Sequence, residues 1–321
     1  MARAELLISN SFIVVFILFI FSSCSLTQKT VLRGSHQIFE DGSLAYQKIG
    51  NWQQFEQDFA ANILQLEALY EFDSKNLYLL ALLIKGYSSL AFGLHETLAL
   101  DPKQKKFREK QAMYFYNKAL SLGQDYLERR KLAISDLLKV MNDQQAFQAK
   151  LNRHLKKRDH LAAFYIAQAW GGFLNLNRQQ TRIMPHLGAV TQLADWVCQQ
   201  DPQFEWGACY LFKAMVAASL PPALTHSEVS AEKLIAQYKQ LHPESLLGEI
   251  IELQMIELPQ KRKALTSQKL KKLKNKFAEK EELLQKPAYR AKPNPFHSRY
   301  QLFNVIAQKR FELILQHQEV L

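Results

Sequence analysis

Glycine and proline are scarce in this 321-residue chain, at 11 and 10. Both punctuate turns, so few turns and long regular elements are expected. Alternating apolar and polar runs bounded by hairpin dipeptides are missing, which argues against a β-rich fold. Three cysteines exclude a disulfide-rich miniprotein, and 48% hydrophobic residues exclude a chain disordered throughout. Catalytic machinery is also lacking. His95-Glu96 is followed by Ala99 where a zinc-protease helix needs its second His on the same face. Gly86-Tyr87-Ser88-Ser89-Leu90 lacks the last Gly of a nucleophile elbow. Phosphate- and dinucleotide-binding glycine spacings are absent, and the His residues form no ligand cluster with Cys. No catalytic residue, metal or cofactor is therefore expected, and the chain reads as non-enzymatic. Gly171-Gly172 alone is too weak a signal for phosphate binding and reads as a site of close helix packing.

Acidic residues are few beside basic ones, 30 against 41, giving a net charge of +11. The N-terminus decides how that charge is read. Arg3 precedes an uninterrupted apolar stretch from Ile13 to Phe21, too short for a stop-transfer span and suited to a signal peptide. Directly after it, Phe21-Ser22-Ser23-Cys24 resembles a bacterial lipobox, with Phe in place of the usual Leu; an ordinary secretory signal or an uncleaved anchor is the competing reading. A lipid-anchored, periplasm-facing protein of the bacterial cell envelope is expected, with Cys24 as the lipidation site. Ser25 after Cys24 favours the outer over the inner membrane. Acyl chains add about 0.8 kcal/mol per buried methylene, so a triacylated Cys24 holds a protein at the bilayer without a spanning helix. Removing residues 1–23 takes away one Arg and one Glu and leaves the charge unchanged. For an exported protein such a charge points to anionic lipid or an acidic partner surface rather than nucleic acid. Its densest stretch is Lys261, Arg262, Lys263, Lys269, Lys271, Lys272, Lys274 and Lys276, read either as a solvated helix face or as a contact surface.

What is abundant is helical patterning. Residues 24–43 suit a lipidated tether after the signal peptide of 1–23. A helical domain is expected over 44–257, followed by a lysine-rich segment and C-terminal helix over 258–321. Phe55, Phe59, Ile63, Leu66 and Tyr70 recur at three or four residues and line one helical face. Asp73-Ser74 offers a cap for the next helix, 77–94, which is apolar almost all round. Lys85, Ser88 and Ser89 interrupt it where a membrane span suffers most, so it reads as a buried bundle helix. Asp101-Pro102 with Gln104 predicts a capped helix start, and helical signals continue over 127–140. Over 160–174, Ala162, Ala163, Ala167 and Ala169 alternate with aromatics, a pattern for close helix approach. Further helices are expected over 183–198, 204–218, 231–238, 246–257 and 302–315. The fold class is all-α, helical hairpins stacked as a tetratricopeptide-like solenoid or bundle. Cys198 and Cys209 sit eleven apart across a predicted helix turn, where either a disulfide stapling Asp201-Pro202 or two buried thiols fits.

Several segments together resemble a known family. Leu66-Glu67-Ala68-Leu69-Tyr70, Asn76-Leu77-Tyr78-Leu79-Leu80 and Gly86-Tyr87-Ser88-Ser89-Leu90-Ala91-Phe92 are similar to the first hairpin of the T component associated with TRAP transporters. Ala112 to Leu120 with Gly123 and Tyr126, Phe164-Tyr165 through Ala169-Trp170-Gly171, and Asp201-Pro202 to Gly207-Ala208 continue the resemblance in the same order. Coverage is clearest over 50–220, with a weaker echo in Asn304 to Arg310. The segment Leu220-Pro221-Pro222-Ala223-Leu224-Thr225-His226 replaces a Gly-Gly turn usual in such proteins, and 258–292 has no counterpart. The resemblance implies a helical lipoprotein able to form a homotrimer and to dock a periplasmic solute-binding component of a TRAP uptake system, handling its ligand. An envelope scaffold for outer-membrane protein or cell-wall assembly is the alternative on the same fold. Candidates to line a ligand or partner cavity are Tyr87, Tyr165, Trp170, Phe173 and Trp206, with plain core packing as the competing role.

Overall fold

The computed structural model describes residues 47–219, 229–259, 263–285 and 295–317. The signal peptide, Cys24 and its tether, the segment Leu220 to His226 that replaces the Gly-Gly turn, and Lys261 and Arg262 lie outside them. Every element among the described residues is helical, as expected. α1 (Trp52–Phe72) starts on Asn51, whose Oδ1 accepts hydrogen bonds from the backbone N–H of Gln53 (2.7 Å) and Gln54 (3.2 Å). It buries Phe55, Phe59 and Ile63, the face expected from their spacing. α2 runs from Leu77 to Leu98 and is capped by Asn76, not by Asp73-Ser74. Asp73 instead closes α1, its N–H bonding the Leu69 carbonyl, and Asn76 is the last residue before the new helix. By length and composition α2 could cross a membrane, yet Leu79, Leu80, Leu83 and Ile84 are all buried inside the protein. Its stretch Leu90–His95 widens into a π-helical turn.

α3 (Lys105–Arg129) begins later than Asp101-Pro102 suggests. Asp101 caps a separate turn, accepting from the Lys103 N–H (2.9 Å) and the Gln104 side chain (3.0 Å). The helical signal over 127–140 is broken by Lys131 at φ 59°. There the Lys131 N–H bonds Glu128 and the Leu132 N–H bonds Leu127, a Schellman closure made without glycine and sealed by the buried pair Leu127 and Leu132. Short α4 (Ile134–Leu138) and α5 (Gln144–His154) follow, then α6 (His160–Leu176). α6 packs against α2, α3 and α7 (Leu187–Gln200), an approach permitted by its fully buried Ala162, Ala163, Ala167 and Ala169. Gly172 continues that close contact, because a Cβ there would lie 2.3 Å from the Tyr116 ring.

α8 (Phe204–Ser219) pairs with α9 (Ala231–Leu241), and α10 (Leu247–Glu252) continues into a second π-helical turn, Leu253–Glu257. α11 (Lys263–Gln285) carries much of the basic stretch, but the lysines whose side chains are described divide between two roles. Lys269 contacts Glu252 and lies 2.7 Å from Glu257, and Lys276 lies 2.9 Å from Glu249, so both tie α11 to α10. Lys271, Lys272 and Lys274 are exposed. α12 (Pro295–Gln316) returns to the start of the chain, touching α1, the end of α2, α10 and α11. Its Ile306, Ala307, Phe311 and Ile314 share one core with Phe55, Phe59 and Leu90, so the proline-containing segment before it does not divide the packing. A second core, around α6 and α7, adjoins the first.

Candidate functional site

α2 lays small residues along one face, with Gly86, Ser89 and Gly93 at three- and four-residue spacing. Opposite them, side chains of α1, α6, α8, α10 and α12 stop short of closing the space. The result is a cavity of 360 Å³ with mainly apolar walls, among them Phe55, Leu66, Phe92, Phe212 and Phe303. One ion pair stands in that wall: Lys85 Nζ lies 2.6 Å from Glu205 Oε1, and both side chains are largely shielded from solvent. The Tyr165 ring sits below the ammonium, 5.5 Å from its centroid. Burial, with Glu205 beside it, holds the Tyr165 hydroxyl well above the usual phenol range, so it stays protonated and able to donate.

Glu205 reaches the cavity through an unusual backbone. Glu205, Trp206 and Gly207 take φ values of 46°, 59° and 81°, one turn of left-handed helix at the head of α8. Left-handed geometry costs about 1–2 kcal/mol per non-glycine residue, so the turn must be held by its surroundings. Lys85 holds Glu205, and the Trp206 indole donates to Gln47 Oε1 at 3.0 Å. The Gly207 N–H reaches the Gln203 carbonyl at 3.3 Å, and a Cβ on Gly207 would lie 2.3 Å from the His242 ring. Cys198 and Cys209 are disulfide-bonded with Cα atoms 5.6 Å apart, bracketing the turn.

Of the five aromatic candidates, Tyr165 lines the cavity. Trp206 stands on the left-handed turn beside it. Tyr87 is buried with its ring stacked on Phe115 at 5.9 Å and Lys118 4.4 Å above its centroid, and burial pushes its hydroxyl up to about 12. Trp170 is buried in the second core, edge-on to His186, and Phe173 packs half-buried between the two cores. Lys85 and Glu205 were not singled out from the sequence as site residues. Lys85 carried a signal, as a lone cation in an apolar helix; Glu205 carried none, because an acid near a helix start reads as a dipole partner.

Comparison with known proteins bears on the whole molecule. The profile of TAtT, the TRAP transporter T-component, matches residues 53–321. The chain belongs to this family. Membership gives it a part in TRAP transport, as an accessory component rather than a member of a known enzyme family, and associates it with the cell envelope. No curated protein matches the chain. The match starts one residue after Trp52 opens α1 and includes α12, so family and fold cover the same stretch.

Proposed function

We propose that this T-component is a non-enzymatic, periplasm-facing lipoprotein, anchored through Cys24, that binds the solute-binding component of its TRAP system and receives that component's ligand. The carrying observation is the 360 Å³ cavity, whose apolar walls hold one shielded ion pair on a left-handed turn. Mostly apolar walls with a few fixed polar groups suit a small ligand with an apolar body and one polar group to orient it. Backbone held in a sparsely populated region also clusters at ligand sites. Self-association as a trimer, and an outer-membrane rather than inner-membrane anchor, belong to the same reading. Among the described side chains of the basic stretch, exposed Lys271, Lys272 and Lys274 are the surface left for an acidic partner or lipid, since Lys269 and Lys276 are engaged within the fold.

Crosslinking of the anchored protein in its native cells, followed by mass spectrometry of what it carries, tests this. A periplasmic solute-binding protein or transporter subunit should be recovered, and Cys24→Ala should leave the membrane fraction. Recovery of barrel-assembly or cell-wall proteins instead would move the function to envelope scaffolding.

A further inference from the structure

A second cavity of 130 Å³ adjoins the first, and Phe92, Gln168, Phe212, Met215 and Ile251 belong to the walls of both. Its chemistry is different. Arg310 of α12 lies in its wall and is only 5% exposed. The guanidinium spans the two π-helical turns: Nη2 donates to the Phe92 carbonyl (2.9 Å) and Nη1 to Gln254 (3.1 Å), while Nε donates to Thr97 (2.9 Å). Three of its five N–H groups are thereby used, leaving one on each Nη. Among the described residues no carboxylate comes within ion-pair distance of Arg310. A buried cation without a contacting counter-charge is costly to keep, and π-helical turns recur at functional sites.

The same cavity holds Glu96. Tyr116 donates to its Oε1 at 2.7 Å, and its other oxygen has no hydrogen-bond partner among the described residues. Burial holds the Glu96 carboxyl above the usual range, with Arg310 and Tyr116 opposing. A cation and a carboxylate thus face one small space, each with unused hydrogen-bonding capacity and neither bonded to the other. Gln168 and Gln254 add amides, and exposed Asn175, Arg178 and Ser219 connect the cavity to solvent. A simple anion would meet Glu96 unfavourably, and a simple cation would meet Arg310. Only a ligand carrying both charges satisfies both walls.

We propose that this cavity binds a small zwitterion, an amino-carboxylate whose carboxylate meets Arg310 and whose ammonium meets Glu96. The site requires neither a lipid anchor nor a docked solute-binding protein, so it stands or falls separately from the reading above. Titration calorimetry on the full chain, with glycine, β-alanine and γ-aminobutyrate against propionate and propylamine, tests it. At least one amino-carboxylate should bind, and the two singly charged probes should bind at least about tenfold more weakly, because each leaves one buried charge unanswered. Glu96→Gln, which keeps the side-chain shape, should weaken the zwitterion at least about tenfold while leaving propionate unharmed. Arg310→Gln should do the converse if it folds; the probe comparison on the native protein does not depend on it. Absence of heat from every amino-carboxylate at millimolar concentration overturns the proposal, as does propionate binding as tightly as the best zwitterion.

Discussion

His95 shows how burial sets behaviour at a single residue. It is 7% exposed and stacks on Phe115 with ring centroids 5.1 Å apart, and its Nδ1 lacks a hydrogen-bond partner among the described residues. Burial, with the charge of Arg108 second, lowers it from 6.5 to about 4. Between about pH 6.5 and about 4 the unfolded chain takes up a proton that the folded chain refuses, so stability falls as the pH drops through that window. His160 is also lowered by burial and acts in the same direction, so the informative quantity is the difference between variants. His95→Leu should flatten the pH dependence of urea unfolding over this range; an unchanged slope would assign the effect to other groups. At this scale the sequence was least legible. His95 attracted notice as a failed metal ligand, whereas its properties come from Phe115 and Arg108, which only folding brings near. Arg310 left a faint trace, four residues after Ile306 and four before Ile314 on the buried face of its helix. A basic residue there asks for an internal partner, but the sequence does not say which.

Among elements, the junction of α10 and α11 shows which basic residues hold the fold. Burial pushes Glu249 upward, and Lys276, Lys239 and Lys269 more than reverse it, leaving its carboxyl below the usual range. Lys269 also contacts Glu252 and Glu257, and its side chain is 13% exposed. Lys269→Ala should therefore cost about 1–3 kcal/mol, by leaving shielded carboxylates without their cation. Lys272→Ala, on the exposed face, should stay within about 0.5 kcal/mol. Denaturant melts of the two variants check the contrast, and equal losses would refute the division of roles. Element positions were the most legible part of the sequence, since apolar spacing marks a buried face directly: Phe55, Phe59 and Ile63 are the clearest case. Ends were less legible because several residues compete for each cap. Asn76 took the position for which Asp73-Ser74 looked suited, and Lys131 adopted a left-handed closure that favours glycine. The turn at Glu205, Trp206 and Gly207 was invisible for the same reason. Only Gly207 and the flanking Cys198 and Cys209 hint at it, and Lys85 and Gln47, which hold its side chains, lie far away in the chain.

For the molecule as a whole, the return of α12 matters most. Arg310 bonds Phe92, 218 residues earlier, and Ile306 and Phe311 complete the core begun by α1 and α2. A chain ending at Gln285 should lose its cooperative thermal transition rather than merely one helix, and calorimetry of that truncation checks it. A sharp transition preserved at a lower temperature would show that the remainder folds alone. The same return sets an order of events during synthesis. α2, the one helix among the described residues long and apolar enough to cross a membrane, leaves the ribosome early and is soon covered along most of its length by α3 and α6, while the α12 residues that cover its far end emerge much later. For most of its elongation the growing chain carries that end bare, open to neighbouring chains until α12 folds back over it.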